Sequence, residues 1–120
     1  LADNGGKTHT IKSLSIAPGQ YAVLGRNTST AQNGGVPVAY SYGSWALTNT
    51  GDEIILYNSA NKIVDKVAYT SSWGVKSGAS LSLKAIGADN SIGSNWCVET
   101  TTWPGSAGDK GTPGKPAICK

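Results

Sequence analysis

Apolar side chains recur at every second position in several short runs of this chain, and turn residues separate the runs. Leu14 and Ile16 share one face of an extended segment, and Leu81 and Leu83 share one face of residues 79–84 with Ser80, Ser82 and Lys84 opposite. Residues 8–12 alternate as a short strand, residues 21–25 read as a buried strand, and residues 36–42 read as extended. Pro37 has no donor for a ladder, so that segment is an edge strand or a lead-in. Ile54 and Leu56 point one way and Ile55 and Tyr57 the other, which predicts an interior strand covered on both faces. Its partner over 63–69 places Ile63, Asp65, Val67 and Tyr69 on one face. Asp65 there needs hydrogen-bond partners or a bulge that turns it outward. Residues 95–98 make a short last strand.

Between the strands lies turn chemistry. Ala17-Pro18-Gly19-Gln20 fits a type II turn, with Pro18 setting φ and Gly19 taking the positive value. Asp3-Asn4-Gly5-Gly6, Asn49-Thr50-Gly51-Asp52 and the stretch from Asn58 to Lys62 are further turns. Residues 26–35, 71–78 and 87–94 are loops. The indole of Trp45 and the side chain of Leu47 are expected in the core, as is Trp96. Good helix formers are sparse, with two Glu, two Gln, one Arg and no Met among 120 residues. Short strands at this spacing predict an all-β fold, an antiparallel sandwich or barrel.

The length allows one domain, residues 1–120, with a modest core. From about residue 99 the composition shifts to Thr, Pro, Gly and Lys, which predicts an ordered but irregular tail. Cys97 and Cys119 have neither a His cluster nor a C-x-x-C spacing beside them, so a metal or redox site is disfavoured. A disulfide tethering the tail is the preferred reading and implies an oxidising compartment, secreted or at a cell surface. The rival is a pair of buried thiols in a cytosolic protein. Net charge is +3, but the ten cationic residues are scattered, which weighs against a dedicated nucleic-acid binder. No apolar run is long enough to span a bilayer.

Several phrases, in order, resemble one family. Residues 14–26, Leu-Ser-Ile-Ala-Pro-Gly-Gln-Tyr-Ala-Val-Leu-Gly-Arg, are similar to the L-x-I-x-P-G-x-Y-x-V-L-G segment of bacterial lamin tail domains. Residues 47–56, Leu-Thr-Asn-Thr-Gly-Asp-Glu-Ile-Ile-Leu, resemble L-x-N-x-G-D-x-I-x-L, and residues 63–69 resemble V-V-D-x-V-x-Y. Residues 78–81, 95–97 and 108–114 are similar to the closing phrases. The resemblance implies an immunoglobulin-like β-sandwich appended to an exported bacterial protein, often a hydrolase. Strands of the kinds I-x-E-V and W-I-E-L-Y-N, with which the family opens, have no counterpart ahead of Leu1. The expectation is therefore an N-terminally truncated sandwich, its open edge left bare or filled by another copy as a homodimer.

No motif names a reaction. His9 is the only histidine, and no G-x-S-x-G elbow accompanies it. Seven carboxylates can bring two together by accident, yet Asp52 and Asp89 sit where turns favour Asp. A small hydrolase using His9 or a carboxylate pair is one alternative, and a nucleic-acid-binding module is another. The leading expectation is a non-catalytic accessory module that binds protein or glycan through loops, with no cofactor and no metal. Its candidate contacts are Trp73, Trp103, Tyr40 and Tyr42, since loop aromatics stack on sugars or bases.

Overall fold

A computed structural model describes residues 1–3 and 5–120, and the turn expected at Asp3 to Gly6 includes Asn4, which lies outside them. Among the described residues six strands follow in order: β1 (Val23–Gly25), β2 (Val38–Ser41), β3 (Gly51–Tyr57), β4 (Ile63–Thr70), β5 (Leu81–Leu83) and β6 (Trp96–Val98). Short 3₁₀ turns cover Ser71–Trp73 and Gly93–Asn95. The protein is thus strand-based with almost no helix, as the composition predicted. The strands form three two-stranded sheets, β1–β2, β3–β4 and β5–β6.

The β3–β4 hairpin is the longest ladder. Asn58 organises its turn by accepting the N–H groups of Ala60 and Lys62 on one side-chain oxygen, and Asn61 takes φ 56°. The register runs from Gly51 opposite Thr70 to Leu56 opposite Asp65, then slips so that Tyr57 faces Ile63. That slip is a bulge at Val64. Asp65 is exposed beside it, and its Oδ1 accepts the N–H of Lys66 at 2.8 Å and the Asn90 amide at 2.8 Å. Both remedies foreseen for this carboxylate are therefore in place. Gly51 sits at φ 138°, where an added Cβ would meet the Tyr69 carbonyl oxygen at 3.0 Å.

Antiparallel pairing is expected to dominate, and two of the three ladders are antiparallel. β1 and β2 run parallel instead. The connection from Arg26 to Pro37 is about a dozen residues, long enough for a crossover rather than a hairpin. Pro37 directly precedes β2, in the lead-in position its missing donor requires.

Burial is thinner than the apolar pattern implied. Among the described residues, Ala2, Val36 and Cys97 are the buried hydrophobic ones, and Asp52 and Glu99 the buried charged ones. β3 lies between β4 and an isolated bridge from Ala2 to Ile55, but Leu56 and Tyr57 are exposed, so its faces are not both covered. A two-stranded sheet has too few neighbours to bury two apolar faces. For the same reason Leu47 is 43% exposed, and Trp45 and Trp96 are half-buried rather than core. Residues 8–12 form only a bridge from Thr8 to Ala2, and Leu14 to Ile16 form no strand. The Pro18–Gly19 turn is present, closed by Gln20 N–H on the Ala17 carbonyl at 3.0 Å.

The tail after β6 is irregular and firmly tied. Cys97 and Cys119 form a disulfide across 22 residues. Beside it the Glu99 carboxylate, 1% exposed, accepts the N–H of Ile118 on Oε1 at 3.1 Å and of Cys119 on Oε2 at 3.2 Å.

Candidate functional site

A cleft of about 910 Å³ is lined by residues 78–87, which include β5. Tyr21, Trp96 and Trp103 supply its aromatic walls, and Asp109 to Pro113 with the tail residues Lys115 to Ala117 close the far side. Each wall has a local cause. The Pro18–Gly19 turn ends just before Tyr21 and leaves it 46% exposed. Trp103 is oriented by its indole N–H, which donates to the Gly34 carbonyl at 2.9 Å. That contact depends on two glycines, since a Cβ on Gly105 would lie 2.6 Å from the Gly34 carbonyl oxygen. Trp96 is fixed by donation to the Asn90 carbonyl at 3.0 Å. The tail wall is held by the disulfide and by Glu99.

The four aromatic candidates from the sequence do not come together. Trp103 lines the cleft. Trp73 instead packs on Trp96, ring centroids 5.8 Å apart, with Gly93 against its indole. The hydroxyl of Tyr40 lies 2.9 Å from His9 Nε2 and donates to the Thr10 carbonyl at 3.2 Å. Tyr42 meets Trp45 edge-on at 5.8 Å. The Trp45 indole donates in turn to Asp3 at 2.7 Å, and that hydrogen bond holds the Asp3 carboxyl below its usual range.

Sequence reading missed Tyr21, the three lysines at the cleft (Lys84, Lys110 and Lys115) and the wall role of Trp96. A Tyr directly after a Pro-Gly turn was the available signal for the first. The lysines are far apart in sequence, and only the tail's return brings them to one place.

The polar groups with catalytic potential are dispersed. A second cleft, about 700 Å³, holds His9 between the N-terminal segment and the β3–β4 turn. Asp52 is occupied with the N–H groups of Thr48 and Glu53. Asp89 accepts both the N–H and the hydroxyl of Ser91, and these bonds, the hydroxyl first, hold its carboxyl below the usual range. Burial, with the Asp52 charge second, pushes the Tyr69 phenol upward. Among the described residues no three His, Cys, Asp or Glu side chains converge as metal ligands, and no helix is long and apolar enough to cross a membrane. No family model, no curated protein and no solved structure matches this chain.

Proposed function

We propose that this chain is a non-catalytic interaction module of an exported bacterial protein, a lamin-tail-type immunoglobulin-like sandwich that engages protein or glycan. The observation that carries the reading is the cleft walled by Tyr21, Trp96 and Trp103. Aromatic walls, two of them with the indole N–H already bonded, offer flat apolar contact. The Cys97–Cys119 disulfide fits the oxidising compartment this reading requires. The quoted motifs support the family assignment, and the fold-level analogy is silent on the ligand.

A glycan array and a peptide array, each probed with the intact chain and with Tyr21→Ala, test the proposal. Tyr21 is exposed, so its truncation leaves the fold intact. The expected result is binding that drops about tenfold or more in the variant, the loss of an aromatic hot spot. Binding indifferent to Tyr21, or turnover of an ester or glycoside substrate abolished by His9→Ala, would overturn it.

A further inference from the structure

Strand β5 has one satisfied edge and one open edge. The N–H of Lys84 donates to the Asn95 carbonyl and the N–H of Glu99 to the Ser80 carbonyl, both at 2.9 Å. With Ser82 opposite Cys97, these bonds set the phase of the ladder, so that Ser80, Ser82 and Lys84 face β6. Antiparallel alternation then turns the N–H and C=O of Leu81 and Leu83 the other way. No strand lies there, and among the described residues neither N–H has a hydrogen-bond partner. Residues 81–83 and their flanks are the floor of the aromatic cleft. An unpaired ladder edge inside an apolar trough is a template for an added strand.

Charge decides what can occupy it. Lys84, Lys110 and Lys115 line the cleft against one carboxylate, Asp109. The one ion pair among the described residues joins Lys66 to Glu53, so none of these lysines is neutralised. Lysines at a strand edge ordinarily repel a second copy, and this chain carries net charge +3. Tyr21 and Ile86, the latter 83% exposed, stand at the rim as apolar anchors.

We infer that the cleft takes an extended peptide strand, apolar at alternate positions and flanked by acidic residues, which adds to the free edge of β5. Its backbone pairs with Leu81 and Leu83, its apolar side chains meet Tyr21, Trp103 and Ile86, and its carboxylates meet Lys84, Lys110 and Lys115. The inference rests on the interaction-module reading and specifies the ligand for that same cleft.

The test uses three probes on the full chain. One is a peptide of alternating Val and Thr flanked by Glu, the second is the same peptide flanked by Lys, and the third is the Glu peptide N-methylated on both edges. Amide hydrogen exchange at Leu81 and Leu83 is the readout, because only backbone pairing protects those two groups. The Glu peptide is expected to slow exchange at both about tenfold or more at saturation. It is also expected to bind about tenfold more tightly than the Lys peptide at low salt, as three surface charge pairs allow. Lys84→Glu with Lys115→Glu, both at exposed positions, reverses that preference. Unchanged exchange, equal binding of the Lys peptide, or full binding of the N-methylated peptide on both edges would overturn the inference. So would protection that rises with protein concentration and no peptide, since the occupant would then be a second copy. Tyr21-dependent binding of another ligand on the arrays would leave the module reading standing while this one fell.

Discussion

Glu99 holds the backbone of Cys119: its Oε2 accepts that N–H at 3.2 Å, while Cys97, two residues before Glu99, holds the Cys119 sulfur. One short stretch of chain therefore grips the tail twice, once by charge and once by a covalent bond. The carboxylate is 1% exposed, so its hydrogen bonds act in a region of low dielectric.

Glu99→Gln keeps the shape but replaces one acceptor oxygen with a donor facing an N–H. Hydrogen bonds to charged groups are worth about 1.5–3 kcal/mol, so the variant should lose about 2 kcal/mol in urea unfolding. A change within about 0.5 kcal/mol, ordinary for a surface site, would show that the carboxylate does not pin the tail.

The double variant Cys97→Ala, Cys119→Ala removes a cross-link spanning 22 residues. In the chain-entropy model this costs about 3 kcal/mol. Because both grips act on the same segment, the costs should not add. Glu99→Gln in the double variant is expected to cost less than it does alone. Full additivity, measured by a double-mutant cycle, would argue against a shared strap.

Gly105→Ala tests the support behind Trp103. Gly105 has φ 95°, and a Cβ there would lie 2.6 Å from the Gly34 carbonyl that Trp103 bonds. Left-handed strain and overpacking are each worth about 1–3 kcal/mol, so a loss of about 2 kcal/mol or more is expected. Indole N–H exchange at Trp103 should rise alongside. Wild-type stability with an unchanged indole signal would refute the close approach.

Stability should fall on the acid side through Asp89 and Asp3. Both carboxyls are held below the usual carboxylate range, Asp89 chiefly by the Ser91 hydroxyl and Asp3 chiefly by the Trp45 indole. A depressed native value means that the unfolded chain takes up protons first as pH drops. The stabilisation is thus complete above the unfolded value and is lost as pH falls through the native values. Asp89→Asn should flatten part of that limb in a series of unfolding curves from pH 5 down to about 2. An identical pH dependence in the variant would remove Asp89 from the account.

Local chemistry was well legible in the sequence. Pro18-Gly19 marked its turn, Asn58 marked the hairpin, Leu81 and Leu83 marked β5, and the two cysteines marked the tie on the tail. Those features act over a few residues or, for a lone pair of cysteines, leave one intramolecular partner. The sites fared worse. Trp73, Tyr40 and Tyr42 went to separate contacts, and Trp96 proved to be a cleft wall, because a half-apolar aromatic suits a core and a groove equally well.

What the sequence determined alone is the strand-based character, the positions of the turns and the cysteine pair, since φ restriction and side-chain alternation are local properties. Tertiary structure decided the parallel pairing of β1 with β2, the exposure of Leu56 and Tyr57 at the end of β3, and the meeting of Tyr21, Trp103 and three distant lysines around one free edge. Those depend on which segments return to lie beside which, and alternation along a strand carries no record of its neighbour.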